Sequence, residues 1–214
     1  PDRGDELWNR LSEGGQPLMP LDRYPFSERY GWIQDRFGGS WQIILFESEP
    51  ERTIIPSMLF VGENAGKAEE AINFYASLLN ESRVGEIFRY GPDQAPDREG
   101  TVAYADFRLE GEIFAAMDSA QAHEFTFSEA ISLAVLCDDQ RTIDRYWNGL
   151  SAESEAEQCG WLKDRYGVSW QIVPAMLPEV LGGEDEEKSR RASEALFRMK
   201  KLDIAELRAA YERG

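Results

Sequence analysis

The chain has 214 residues, 42% of them hydrophobic and 12% aromatic, which is enough for one large or two small domains with packed cores. Its 40 acidic and 23 basic residues give a formal net charge of −17, and such a surface repels phosphate backbones and anionic lipid headgroups. We therefore expect neither a nucleic-acid nor a membrane partner. The two cysteines, Cys137 and Cys159, are too few for a disulfide framework, so a cytoplasmic location is expected.

Residues 1–47 predict a helix and a pair of strands, the closing half of a β-α-β-β-β unit. Segment 14–30 is rich in glycine and proline and is predicted to be an inserted loop. An isolated strand pair is marginal in water. We therefore expect the missing strands to come from a longer protein or from another chain, and a homodimer is the predicted assembly.

A complete domain is predicted at 54–174, after a linker at 48–53. It begins with an apolar strand at 54–61 and a helix at 67–79 whose apolar side chains fall on one face. Three further strands follow at 83–90, 101–109 and 112–117. Together these elements make one β-α-β-β-β unit.

The second half of this domain is predicted to repeat the unit. A strand at 129–136 leads to a helix capped by Asp138 or Asp139, and two more strands flank the turn at 164–167. Segment 175–214 then predicts a helical tail. The apolar stripe of that tail must dock on another surface.

One segment of the sequence occurs twice in the chain. GWIQDRFGGSWQII at 31–44 returns as GWLKDRYGVSWQIV at 160–173, with nine of fourteen positions identical. A period of about 130 residues is too long for a solenoid and indicates a duplicated domain.

Three segments resemble the PhnB-like proteins: AEEAINFY (68–75), AISLAV (130–135) and CGWLKDRYGVSWQIVP (159–174). That family is also labelled "3-demethylubiquinone 3-methyltransferase domain" and belongs to the glyoxalase/bleomycin-resistance/extradiol-dioxygenase, or vicinal oxygen chelate, superfamily. The resemblance implies an α+β fold, with paired β-α-β-β-β modules that form a cup-shaped mixed sheet around a cavity. Residues 1–47 then correspond to the C-terminal half of a first domain.

The resemblance also implies where a metal ion would be held. The family's ligand positions fall at about Pro56 or Ser57, at Ser132, and at Gln171. Proline has no side-chain donor, a serine hydroxyl is a weak ligand, and one neutral amide oxygen does not hold a divalent cation against water. We therefore expect no metal ligands and no cofactor in this domain.

Strand alternation supports Gln171 as the main candidate ligand-binding residue of the cup that the resemblance implies. In VSWQIV, Trp170 points one way while Ser169 and Gln171 point the other, and the tryptophan face is the natural surface for a helix. This places Gln171 in the cup as a polar group that orients a ligand. The other candidates lining the cup are Ser169, Ser132, Trp161 and Asp118, and Gln42 is the counterpart of Gln171 in the first copy.

Each candidate also has a structural interpretation. Gln171 is also consistent with a buried amide satisfied by neighbouring backbone or by a cross-sheet partner, Trp161 with a core residue, and Asp118 with a turn residue. No catalytic residue is identified.

The sequence therefore predicts a protein that binds a small organic molecule without a metal. Two alternatives stay open: a metal-dependent lyase, isomerase or dioxygenase with its site in the truncated first domain, and a structural or assembly role. Methyl transfer is unsupported, because no glycine-rich segment is predicted to join a strand to a helix and to precede the acidic residue that a methyl-donor site needs.

Overall fold

Residues 2–46 and 50–213 are described in the computed structural model, and the chain divides into two units, Pro1–Ile54 and Ile55–Gly214. Residues 48 and 49 of the predicted linker lie outside the described residues. None of the helices in these two ranges is long and apolar enough to cross a membrane.

The first unit contains one helix and an antiparallel sheet of order β1-β2-β3. Its elements are α1 (Asp2–Ser12), β1 (Gln16–Tyr24), β2 (Ser27–Gln34) and β3 (Ser40–Ile44). The predicted loop at 14–30 is therefore wrong, since β1 and the start of β2 occupy it. Pro17 and Pro20 are tolerated because β1 is an edge strand with register irregularities, where a missing N–H breaks no continuous ladder.

The second unit begins with the predicted β-α-β-β-β module. Its elements are β4 (Ser57–Phe60), a 3-10 turn (Gly62–Asn64), α2 (Ala68–Leu78), β5 (Arg83–Arg89), β6 (Val102–Leu109) and β7 (Glu112–Asp118). The sheet order is β4-β7-β6-β5, with β4 parallel to β7 and the other pairs antiparallel. Glu110 and Gly111 have φ of 49° and 81°, and this two-residue turn gives the β6–β7 hairpin the twist it needs.

The second module of this unit has three described strands. Its elements are β8 (Ser132–Cys137), α3 (Gln140–Leu150), a 3-10 turn (Ser154–Ala156), β9 (Trp161–Lys163) and β10 (Ser169–Pro174). The sheet order is β8-β10-β9, with β8 parallel to β10. Asp139 caps α3 by accepting a 2.7 Å hydrogen bond from the Thr142 amide. The predicted α+β class with paired modules is confirmed.

Both modules of the second unit share one buried core. Helix α2 packs on the first sheet through Phe107 and its neighbours, and its Tyr75 ring also lies 5.2 Å from the Trp170 ring of β10. Ile143 of α3 belongs to the same buried cluster. Because strand residues alternate, the sheet faces that carry Arg108 and Gln171 both point away from this core.

The tail adds three short helices to the second unit: α4 (Leu177–Leu181), α5 (Glu186–Leu196) and α6 (Ile204–Glu212). It docks through main-chain hydrogen bonds of 2.8 Å from Cys159 N to Met199 O and from Gly160 N to Lys200 O. Leu202 is fully buried there. Gly160 has φ of 88°, and a Cβ at this position would lie 3.1 Å from Leu202 Cδ1, so the docking requires glycine.

Candidate functional site

The turn between β9 and β10 is organised by a buried carboxylate. Asp164 Oδ1 accepts hydrogen bonds from the amides of Tyr166 (2.9 Å) and Val168 (3.0 Å). Its Oδ2 accepts from the Tyr75 hydroxyl (2.6 Å) and from Trp170 Nε1 (2.9 Å). Burial raises the pKa of Asp164, and these four donors oppose that rise. Asp164 therefore fixes the hairpin on α2 rather than facing a ligand.

The opposite face of this sheet brings together four of the predicted residues. Gln171 Nε2 donates a 2.8 Å hydrogen bond to Ser132 Oγ, so the β8 and β10 side chains meet across the sheet. Ser169 pairs in register with Ser132, and Gln171 pairs with Trp161. We call this surface the Gln171 face, and its members are Ser132, Ala134, Leu136, Trp161, Ser169 and Gln171.

The Gln171 face combines an apolar surface with buried polar groups. Leu136 is 62% exposed and Ala134 is also exposed, whereas Gln171 is half-buried. Ser169 is 2% exposed, and its Oγ has no hydrogen-bond partner among the described residues. A buried polar atom without a partner is uncommon in folded proteins and calls for a water or a ligand. Neither its burial nor its missing partner was predictable from the sequence.

A lysine stands at the edge of the Gln171 face. Lys163 pairs in register with Ser169, and its Nζ lies 2.5 Å from Glu129 Oε1 and 3.9 Å from Glu153 Oε2. The Glu129 carboxylate raises the pKa of Lys163. The positive charge of the ammonium group is therefore already balanced by a carboxylate at this edge of the sheet.

Asp118 does not join the Gln171 face. It is 3% exposed, and its Oδ1 accepts from the amides of Gly66 (2.7 Å) and Ala68 (3.1 Å), while Oδ2 accepts from Val102 N (2.9 Å). Both oxygens thus bind backbone at the start of α2 and of β6. The prediction that places Asp118 at a ligand-binding rim is corrected, because long-range backbone donors occupy its carboxylate.

Gln42 lies on the exposed β3 strand of the first unit. Its Oε1 accepts a 3.0 Å hydrogen bond from the Tyr30 hydroxyl. In this copy the equivalent of Trp161, Trp32, donates through Nε1 to Ser40 Oγ at 2.7 Å. The serine hydroxyl that lacks a partner in the second copy is therefore satisfied in the first.

The residues at the implied metal positions do not fit a divalent cation. Ser57 lies on the four-stranded sheet, whereas Ser132 and Gln171 lie on the three-stranded one and bond to each other. Two hydroxyls and one neutral amide form too weak a donor set. Among residues 2–46 and 50–213, no group of three His, Cys, Asp or Glu side chains is placed to hold a metal ion.

The connection from β4 to α2 is the place where a strand leads into a helix through glycines, Gly62 and Gly66. The Gly66 and Ala68 amides there already bind the Asp118 carboxylate. This turn therefore does not fit the carboxylate of a methyl donor, and we derive no methyl-transfer step from it.

The fold and the Gln171 face define an α+β protein of paired modules, a β-α-β-β-β module followed by one with three described strands, with an open, partly apolar sheet face. The family model described as 3-demethylubiquinone-9 3-methyltransferase matches residues 2–44 and 52–173. Both copies of the repeated segment lie inside these stretches. The chain belongs to this PhnB-like family.

Several solved structures are similar to the chain. The PhnB protein of Bacillus cereus, whose description also reads 3-demethylubiquinone-9 3-methyltransferase, is 38% identical over 57% of this chain and 98% of its own, with a TM-score of 0.49. Protein PA1353 of Pseudomonas aeruginosa is 20% identical over 58% and 97%, with a TM-score of 0.45. A Staphylococcus aureus protein is 28% identical over 56% and 97%, with a TM-score of 0.25. No curated protein matches the chain.

Proposed function

We propose that this chain binds a small organic molecule on the Gln171 face. The observation that carries the proposal is the Ser169 hydroxyl, which is buried without a partner among the described residues, beside the hydrogen-bonded Gln171 and Ser132 side chains. A buried polar group left unpaired costs about 1–3 kcal/mol. Once the side chains over this hydroxyl move aside, a ligand that supplies the missing hydrogen bond removes this cost, which favours a polar ligand atom at Ser169.

The rest of the surface indicates the class of ligand. Trp161 flanks Gln171, and Ala134 and Leu136 present apolar surface along the adjacent strand. Binding sites for small molecules combine such apolar walls with a few fixed polar groups. A small aromatic or dicarbonyl compound fits, with its polar end at Ser169 and Gln171 and its body against Trp161. We propose that binding requires no divalent cation.

We further propose that a second copy of the chain packs along β8, the edge strand of this sheet, and leaves Ser169 and Gln171 open to the ligand. Ile131 and Leu136 are 78% and 62% exposed, and their burial in a homodimer would stabilise the assembly. Light scattering should then show a dimer, and Leu136→Asp should shift it to monomer. A monomeric parent chain would contradict this assembly without deciding whether the Gln171 face binds a ligand.

A thermal-shift experiment tests the binding proposal, with catechol, 4-hydroxybenzoate and phenylglyoxal as probes. We expect at least one probe to raise the melting temperature in the presence of EDTA, with a saturable dependence on concentration. Gln171→Ala should abolish the shift. Gln42→Ala is the matched control, because it removes the same residue type from the other copy of the repeat, and it should leave the shift unchanged.

The opposite results would overturn the proposal. If Gln171→Ala folds with an unchanged response, the ligand does not use this face. The ligand is also shown not to use this face if Gln42→Ala and Gln171→Ala lose the response equally. The binding proposal as a whole fails if no member of a wider panel of aromatic and dicarbonyl compounds binds. Circular dichroism of each variant shows that a lost response does not come from unfolding.

A further inference from the structure

A second surface of the second unit carries several charged side chains. A cleft of about 500 Å³ lies at one end of the four-stranded sheet, away from the Gln171 face on the other sheet. Its lining residues are Leu79, Glu81, Ser82, Arg83, Arg108 and Gly111. Two guanidinium groups in one small cleft are notable in a chain with a net charge of −17.

The two arginines are direct neighbours across the β5–β6 pair, where Arg83 stands opposite Arg108. Side chains in such positions are close together, and like charges directly opposite each other are destabilising. Arg108 Nη1 donates a 2.9 Å hydrogen bond to the carbonyl oxygen of Gly111, which also lines the cleft. The Arg83 guanidinium forms no hydrogen bond or ion pair with another residue of the described ranges.

The backbone under the cleft is strained. Glu81 and Glu110 have φ of 46° and 49°, a region that residues other than glycine rarely adopt. Their two loops are joined by hydrogen bonds from Glu110 N to Asn80 O (3.2 Å) and from Gly111 N to Glu81 O (3.1 Å). Strained residues persist where surrounding structure holds them, and they concentrate at ligand sites.

The strained loops are held from behind by helix α3. Arg145 Nη2 donates a 2.6 Å hydrogen bond to Asn80 Oδ1, and the Tyr146 hydroxyl accepts from Asn80 N at 2.9 Å. The same hydroxyl donates to the Glu110 carboxylate. Glu110 is thus bound to α3, and the floor of the cleft is fixed before any ligand arrives.

We propose that this cleft binds the oxyanion of a small molecule, a phosphate or a carboxylate, between Arg83 and Arg108. Guanidinium groups bind both anions with paired, charge-assisted hydrogen bonds. An anion between the two guanidinium groups is attracted to both of them. The Ser82 hydroxyl already donates to Asn80 O at 2.8 Å, so the two arginines provide the binding donors.

The charges around the cleft restrict the ligand to a small one. Glu81 lines the same cleft, and the chain as a whole is strongly acidic, so a long polyanion is repelled while a single oxyanion reaches the arginines. Glu81 also competes with the ligand for the two guanidinium groups. Removal of its charge should therefore strengthen binding.

Titration of the folded chain with inorganic phosphate and with succinate tests the proposal, followed by backbone amide shifts in NMR spectra at low ionic strength. We expect saturable shifts at Ser82, Arg83 and Gly111. Arg83→Gln and Arg108→Gln should each weaken binding about tenfold, the effect of one lost charge-assisted contact. Glu81→Gln should strengthen binding. The stronger of the two ligands identifies the anion as phosphate or carboxylate.

Arg89→Gln is the matched control, because it removes one positive charge from the same strand at a residue that pairs with Glu69 outside the cleft. It should leave the affinity unchanged. Equal losses in Arg89→Gln and Arg83→Gln would reveal a general charge effect and overturn the proposal, as would shifts that never saturate. Because Arg83 is exposed on an edge strand, Arg83→Gln is expected to fold.

Discussion

The indole Nε1 of Trp170 donates a 2.9 Å hydrogen bond to Asp164 Oδ2, and Trp41 donates an equivalent 2.9 Å hydrogen bond to Asp35 in the other copy of the repeat. The two tryptophans differ in burial: Trp170 is 1% exposed and Trp41 is 38% exposed. The repeated sequence therefore determines a local turn with its own hydrogen bonds. Burial depends on α2, whose Tyr75 packs on Trp170.

This difference predicts unequal effects of the same substitution. Asp164→Asn replaces one acceptor oxygen with an amide that cannot accept from Tyr75 or Trp170. We expect a loss of about 3 kcal/mol in the free energy of unfolding. Asp35→Asn should cost clearly less, because Asp35 is only partly buried whereas Asp164 is fully buried. Urea titrations followed by near-ultraviolet circular dichroism compare the two, and equal losses would contradict the assigned role of α2.

Asp164 also predicts a dependence of stability on pH. Burial raises its pKa in the folded chain above the ordinary value of 3.8, so the folded state holds this proton more tightly than the unfolded state. Asp164 therefore contributes its full stabilisation at a pH below its unfolded-state pKa of 3.8. This contribution declines as the pH rises through the pKa of the folded state. The stability difference between the parent and Asp164→Asn should therefore shrink from about pH 4 upward. A difference that grows with pH would show that its four hydrogen bonds lower the pKa instead.

The two cysteines should differ in reactivity. Cys137 is 1% exposed, and burial raises the pKa of its thiol to about 12, so almost no thiolate is present at neutral pH. Cys159 is partly exposed. Iodoacetamide should modify Cys159 in the native chain and both cysteines after denaturation in urea, as followed by mass spectrometry of peptides. Equal rates of modification of the two cysteines in the native chain would contradict the burial of Cys137 at the end of β8.

Docking of the tail should depend on Gly160. Gly160→Ala places a Cβ at positive φ and against Leu202, and we expect a loss of about 2 kcal/mol or more. Gly100→Ala is the control, since Gly100 has φ of 83° and a Cβ added there would meet nothing within 4 Å. It should show only the backbone cost, about 1–2 kcal/mol. Proteolysis of the tail should accelerate in the first variant alone.

Periodic elements were the most predictable part of this fold. The helix at 67–79 and the strands of the first complete module lie within a few residues of α2 and β5–β7, because each has a clear apolar face. Segment 14–30 was mispredicted because its prolines indicate a loop to any local rule. Only its position at a sheet edge, a tertiary property, explains why it forms a strand.

The candidate site was predictable in the same limited way. Alternation along β10 places Gln171 and Ser169 together, and parallel register with β8 adds Ser132. The Asp118 contacts were beyond sequence reasoning, since its partners Gly66 and Val102 are 52 and 16 residues away. The pairing of Arg83 with Arg108 likewise depends on a register that only the folded sheet defines.

The binding of a small molecule to the Gln171 face is tested most directly by the side-chain amide of Gln171. Its Nε2 resonances can be followed by NMR while 4-hydroxybenzoate, catechol or phenylglyoxal is added. Saturable shifts of this amide, together with the backbone amides of Ser132 and Ser169, are the predicted result for the probe that stabilises the chain. Saturable binding of that probe with these three residues unmoved would contradict the account.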